Sequence, residues 1–211
     1  MRGRLTTTTL TIAALAALTA CSDSDQDEQA PGDGQATATA TAADDRDDDD
    51  LQVTLVDATG AQIGTVSLDD EDGAIEIDVA VDGLDPGFHG FHVHAVGLCE
   101  PASPDPSDPA KIGDFLSAGG HLGADAGDHG EHAGDLPPLL VDASGSAELT
   151  VTTDTLTLAD LTDDDGAAVM VHAGRDNLAH VPERYAPGGP DEATRKTGDA
   201  GDRIACGVVG G

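Results

Sequence analysis

From residue 51 onward the apolar residues come in short runs that alternate with polar ones, and Gly, Pro or Asp interrupts each run before it reaches helix length. Residues 51–56 and 62–68 alternate roughly with period two around a turn at Asp57-Ala58-Thr59-Gly60, and residues 74–81 alternate cleanly. Period two places every second side chain on one face, so one face of each run can be buried and the other solvated. Residues 88–96, 146–152, 167–172 and 203–209 are further strand candidates, and residues 155–161 read as one more strand or a short helical turn. Strands of this length between turn residues predict an antiparallel β-sandwich or barrel. Aromatics make up only 2% of the chain, so its core must be built from Val, Ile, Leu and Ala. Two long irregular stretches remain, 97–138 and 174–202, and loops that long in a compact domain usually carry function.

Residues 1–20 read as an export signal. Arg2 and Arg4 supply a positive start and residues 10–18 a short apolar stretch, well below the ~20 residues that span a bilayer. The stretch ends in Leu18-Thr19-Ala20-Cys21, which resembles the bacterial lipoprotein box. That resemblance implies a lipid on Cys21; an ordinary signal peptide with a chance cysteine is the alternative. Residues 21–50 are polar and acidic without apolar periodicity, and they end in an almost unbroken Asp run. Such a segment cannot repay the entropy of ordering, and its like charges keep it extended. It is expected to be a lipid-anchored, disordered acidic tether, with one domain at 51–211. The expected location is outside the cytoplasm, on the cell membrane, with contact to the bilayer through the lipid alone.

The formal net charge is −32, with 41 acidic residues against 9 basic ones. Such a chain repels phosphate backbones, which argues against a nucleic-acid partner. In a chain this poor in basic groups, eight histidines are the strongest chemical signal. His92 and His94 are two apart in a strand candidate, so both imidazoles point to one face and can reach one metal ion. His172 ends a separate strand candidate; if the two strands are neighbours, three imidazoles converge. Imidazole suits copper and zinc, whereas hard cations prefer carboxylates. His121, His129, His132 and Asp135 form a second cluster in a Gly-rich stretch. They make either a closed tetrahedral zinc site or a solvated His/Asp loop.

Cys99 and Cys206 are the only cysteines beyond Cys21. Export favours a disulfide between them over two free thiols. The bridge would close a loop of roughly a hundred residues, worth about 4–5 kcal/mol in the chain-entropy treatment.

Taken together and in order, Gly90-Phe91-His92-Val93-His94, Ala118-Gly119-Gly120-His121, His132-Ala133-Gly134-Asp135, Val171-His172-Ala173-Gly174 and Arg203-Ile204-Ala205-Cys206-Gly207-Val208-Val209-Gly210 resemble the copper/zinc superoxide dismutases. The resemblance runs from about residue 51 to 211. It implies an immunoglobulin-like, Greek-key antiparallel β-sandwich or barrel with two long functional loops. It implies disproportionation of superoxide to oxygen and hydrogen peroxide by alternating reduction and oxidation of a His-ligated copper. By position, His92, His94, His121 and His172 resemble the copper ligands. His121, bridging the two metals, resembles a zinc ligand together with His129, His132 and Asp135. Arg203 resembles the arginine that attracts the superoxide anion, and His121 the group that takes and returns a proton. Asp176 resembles the aspartate that links copper-side and zinc-side histidines, Cys99 and Cys206 the family's disulfide, and His89 a histidine bonded to backbone.

The sequence departs from the family pattern in three places. Only two residues separate His129 from His132, so a working zinc site depends on whether His129 can reach. Residues 100–116 are a Pro/Asp-rich insertion. The strongly acidic surface should repel an anionic substrate unless Arg203 and its neighbours focus the field; Lys111 and Lys196 either help or are plain solubilising charges. Two other functions compete. One is a copper- or zinc-binding delivery module on the same fold without turnover, against which Arg203 speaks. The other is a zinc hydrolase or lyase of another β-fold, against which the second His/Asp cluster and the cysteine pair speak. Superoxide is thus the expected small-molecule partner, and a homodimer is compatible with the sequence without being marked by it.

Overall fold

A computed structural model describes residues 50–211. The signal segment 1–20 and all but the last residue of the tether 21–50 lie outside the described residues. The strands are β1 (Leu51–Val56), β2 (Gln62–Glu71), β3 (Ala74–Val81), β4 (Gly87–His89), β5 (Phe91–His94), β6 (Ser103–Asp105), β7 (Asp108–Gly113), β8 (Leu139–Val141), β9 (Ala147–Thr153), β10 (Ala168–His172) and β11 (Arg203–Val208). Two short helices, α1 (Leu158–Leu161) and α2 (Glu192–Thr197), lie between strands.

Seven strands form one antiparallel sheet in the order β5-β10-β11-β1-β2-β3-β9. The chain crosses this sheet twice, from β3 to β5 and from β9 back to β10, which is Greek-key connectivity. Its two edges are brought together by chain continuity. β4 runs into β5 through Gly90 and pairs with β8, and β8 turns into β9 at Asp142–Ser146, where Asp142 N donates to Ser146 O at 2.8 Å. The sheet therefore curls towards closure, and the edge-strand problem of an open sheet is largely removed.

The alternation seen in the sequence becomes the inside of this curl. Val53 and Leu55 of β1, Val66 and Leu68 of β2, Ile75, Ile77, Val79 and Val81 of β3, and Phe91 and Val93 of β5 are all at most 3% exposed. Each large aliphatic or phenyl side chain buried this way contributes about 1.5–3 kcal/mol of transfer free energy. β10 is buried on both faces: Val169 and Val171 join this core, while Ala168 and Met170 pack with Phe115, Ala118 and Cys206 in a smaller cluster beneath the first long loop.

The strand candidate at 88–96 is two strands, split at Gly90. There the partner changes from β8 to β10, and Gly90 N and O bond Gly174 O (2.9 Å) and His172 N (2.8 Å). A Cβ at Gly90 would press on the Ala200 methyl and the His92 ring, so only glycine allows this approach. Residues 155–161 resolve in favour of the helical turn. Thr157 and Asp160 form a capping box at the start of α1, which satisfies the free N–H groups of its first turn. The insertion at 100–116 contains the β6–β7 hairpin followed by a 3₁₀ turn at Leu116–Ala118.

Candidate metal centre

With Phe91 and Val93 pointing into the core, His92 and His94 necessarily point to the outer face of β5. β10 lies alongside β5, with Met170 opposite His92, and ends in His172. A register irregularity between Val171 and His172 against β11 sits at this point, a device that re-aims a side chain next to a site. The same irregularity pairs His172 with Arg203.

The open edge of β5 positions the next loop. Isolated bridges pair His94 with His121 and His92 with Asp135, secured by Val93 N to Gly134 O and Leu122 N to Val93 O, both 2.8 Å. Gly134 is required here, because a Cβ would collide with the Val93 carbonyl. Two segments far from β5 in sequence are thus stitched beside its histidines by backbone bonds alone.

Ligand atoms of His92, His94, His121 and His172 all lie within 4.8 Å of one another, and so do those of His92, His121, His129 and Asp135. His121 and His92 belong to both groups. In the second, His121 Nδ1 is 2.8 Å and His129 Nδ1 2.9 Å from Asp135 Oδ1. His132 is in neither group, but its Nδ1 lies 3.3 Å from Asp135 Oδ1 and 3.2 Å from Oδ2. Ligands of a tetrahedral ion at ~2.0–2.1 Å sit roughly 3.3 Å apart, so these separations suit a shared cation. Despite its two-residue spacing from His132, His129 reaches the cluster.

Four buried nitrogens have no hydrogen-bond partner: His92 Nδ1, His94 Nε2, His129 Nδ1 and His172 Nε2. An unsatisfied buried polar atom costs about 1–3 kcal/mol, so four orphans gathered in one place call for a ligand. His129 Nδ1 is close to Asp135 Oδ1 yet lacks hydrogen-bond alignment, the relation of two atoms facing a third rather than of donor and acceptor. The other ring nitrogens are held: His94 Nδ1 faces Gly119 O at 2.9 Å, His172 Nδ1 faces Gly201 O at 3.1 Å, and His92 Nε2 lies 2.7 Å from Asp176 Oδ2. These contacts fix the tautomers so that the free lone pairs converge. The donor set fits copper and zinc.

Burial holds three of the imidazoles in the neutral, ligating form. It pushes His94 well below its ordinary value, His121 down to about 4 and His172 down to about 3. His129 goes the other way. Burial opposes its charge, but the carboxylates of Asp135 and Asp176 outweigh that and raise it to about 9. Both carboxyls are in turn held well below the usual carboxylate range by these histidines, against their own burial. This end of the site is therefore built for positive charge.

Asp176 ties the two ends together, since each of its oxygens lies 2.8 Å from His129 Nε2 while Oδ2 also meets His92. Gly198 makes that possible. It ends α2 in a left-handed conformation (φ 59°), and a Cβ there would run into Asp176 Oδ1 and the His129 ring. Nothing in residues 181–198 pointed to this role; only the clash at a virtual Cβ reveals it. Asp176→Asn, which weakens the carboxylate bridge, is expected to lower zinc affinity by about 10–100-fold, measured by competition with a chromogenic chelator. Gly198→Ala should do at least as much, and an unchanged affinity in both variants would remove Asp176 from the site.

Arg203 closes the other side. Its Nη1 donates to Phe115 O at 2.6 Å and its Nη2 to Gly119 O at 2.5 Å, the carbonyl that also receives His94. Burial lowers its pKa to about 10, which leaves it charged at neutral pH. Arg203, His94, His121 and His172 line the floor of an open cleft of about 760 Å³. Cys99 and Cys206 are joined in a disulfide, Cα–Cα 5.6 Å, which pins the loop carrying Phe115 to β11 and suits an oxidising compartment outside the cytoplasm. His89 stands apart from the metal cluster, its nitrogens 2.7 and 2.8 Å from the carbonyls of His172 and Asp85.

A family model for copper/zinc superoxide dismutase (SODC) matches residues 62–209. The chain belongs to the copper/zinc superoxide dismutase family. It is 48% identical over 160 residues to the superoxide dismutase [Cu-Zn] of Mycolicibacterium paratuberculosis, covering 72% of this chain and 70% of that one. It is 44% identical over 168 residues to that of Mycobacterium tuberculosis, covering 76% and 70%. Among solved structures, the Cu/Zn superoxide dismutase from Brucella abortus superposes with a TM-score of 0.54 at 31% identity, over 75% of this chain and 98% of that one. The Greek-key barrel and the histidine clusters are those expected of a dismutase, and its cofactors are copper and zinc.

Proposed function

We propose that this dismutase holds copper on His92, His94, His121 and His172, holds zinc on His121, His129, His132 and Asp135, and disproportionates superoxide in the cleft above Arg203. The observation that carries this reading is the gathering of four orphaned histidine nitrogens, those of His94 and His172 in the floor of an open cleft, beside a guanidinium whose bonds go only to backbone carbonyls. Copper, when bound, supplies the one-electron chemistry that protein side chains lack, and zinc supplies none.

The chain's own residues do the rest. Arg203 is fixed by two carbonyls and offers its remaining N–H groups to a small anion entering the cleft, which raises local superoxide concentration at the site. His121 lies between the two ligand groups. Its Nδ1 is engaged at Asp135, so its Nε2 is the atom that takes a proton and delivers it to the departing peroxide; the second proton comes from water. Asp176 orients His92 and His129 together. The disulfide and the Phe115 carbonyl keep Arg203 from swinging away. The delivery-module alternative has no use for an anion-binding arginine at this position.

The proposal extends to the N-terminus. Residues 1–20 direct export, Cys21 carries a lipid, and residues 21–50 tether residues 51–211 to the outer side of the membrane. Support comes from the sequence at Cys21 and from the Cys99–Cys206 disulfide. The deciding experiment is superoxide dismutation by the full chain loaded with copper, with and without zinc, before and after chelation. Fast turnover that chelation removes is expected. Tight copper binding without turnover would overturn the anion-binding and proton-transfer roles in favour of metal delivery.

A further inference from the structure

Among the described residues the basic side chains are Lys111, Arg175, Arg184, Arg195, Lys196 and Arg203, and Lys111, Lys196 and Arg203 all line the cleft. In a chain of net charge −32, that concentration would be the natural attraction for an anion. Yet the same cleft is lined by Asp105, Asp114, Asp199 and Asp202, so its carboxylates outnumber its cations. Both lysines are also engaged. Lys196 Nζ is 2.7 Å from Glu192 Oε1, and Lys111 Nζ is 3.4 Å from Asp105 Oδ2.

These two pairs differ in weight. Glu192 and Lys196 are 79% and 64% exposed, and such a surface pair is screened and worth little. Asp105 is different: its side chain is only 18% exposed, and it is held in place at the end of β6 by Ser107 N (2.9 Å) and Ser107 Oγ (2.7 Å). A fixed, partly buried carboxylate is screened less than a mobile surface one, so its charge reaches further. Asp105 shares the cleft lining with Arg203, and its negative charge opposes the burial that lowers the arginine's pKa.

We propose that Asp105, carried on the inserted β6–β7 hairpin, sets how strongly the cleft attracts a small anion, by engaging Lys111 and by facing Arg203 with a negative charge. It lowers the encounter rate for superoxide below what Arg203 and Lys111 together would give. The inference rests on the dismutase reading above, in which Arg203 receives the anionic substrate.

The test is Asp105→Asn in the full chain loaded with copper and zinc. Asparagine keeps an acceptor oxygen for Ser107, so the hairpin is retained. Azide is the probe, titrated at low ionic strength and followed by its absorption band with copper, a readout independent of turnover. Azide affinity is expected to rise about threefold or more, with a parallel rise in kcat/KM for superoxide. Both gains should shrink in about 1 M salt, where the screening length falls to roughly 3 Å. Glu148→Gln, which removes one charge from β9 away from the cleft, should leave azide affinity unchanged. Equal azide affinity in Asp105→Asn and the parent, or an equal gain in Glu148→Gln, would overturn the proposal. Absence of any azide band in the parent would instead strike the copper assignment, and the proposal would fall with it.

Discussion

Exchange of His121 for alanine is expected to lower superoxide turnover by about 10²–10⁴-fold while copper remains bound, the range associated with losing a positioned proton-transfer group. His121 is one of two residues common to both ligand groups, and the other, His92, has its second nitrogen committed to Asp176. In the proposed ligand set His121 alone therefore has one nitrogen at Asp135 and the other left for copper. Its removal leaves His92, His94 and His172 in place, enough imidazoles to retain copper, but removes the proton carrier and one corner of the zinc set. Visible absorption measures copper retention, pulse radiolysis measures turnover, and elemental analysis measures zinc. A His121→Ala protein that binds copper and keeps near-parental turnover would sink the proton-transfer role.

Replacement of both Cys99 and Cys206 by alanine is expected to cost a large increment of stability. The bridge spans a sequence separation of 107. Closing a loop of that size stabilises by about 4–5 kcal/mol through the unfolded state, a shift of roughly 10–20 °C in Tm for a domain of this length. Denaturant midpoints of the parent and the double variant, with and without reductant, measure it. The two proteins should differ under oxidising conditions and converge once the parent is reduced. Equal midpoints under oxidising conditions would mean that the loop is held by packing alone. Turnover should fall too, since the loop carries the Phe115 and Gly119 carbonyls that hold Arg203.

How far these features could be read beforehand depended on whether a local rule governed them. Period-two alternation marks β1, β2 and β3, and short runs between turn residues mark β9, β10 and β11; those strands lie within a residue or three of their expected bounds. The same alternation places His92 and His94 on one face, so the heart of the cluster was legible as chemistry before any fold was known. β8 escaped notice because three residues after Pro137-Pro138 are too few to show a period, and their pairing with β4 is purely tertiary. The split at Gly90 was invisible for the same reason: a change of strand partner leaves no mark on the alternation. The β6–β7 hairpin read only as an insertion, since Pro and Asp obscure any strand pattern. Whether His129 could reach depended on where α2 sits, because its amide is held by Arg195 O, and no spacing rule encodes that.

β10 has a consequence beyond holding one histidine. Its Val169 and Val171 are part of the main core, its Ala168 and Met170 part of the cluster under the first loop, and His172 at its end part of the metal cluster. No one of these can come apart without disturbing the strand that the others share. Metal occupancy and folding are therefore thermodynamically linked: an ion bound at a thousand times its Kd adds about 4 kcal/mol to the whole fold, not only to its site. The same linkage run backwards makes loss of metal a global destabilisation, so a copy that fails to acquire its metals is also the copy most readily unfolded and cleared.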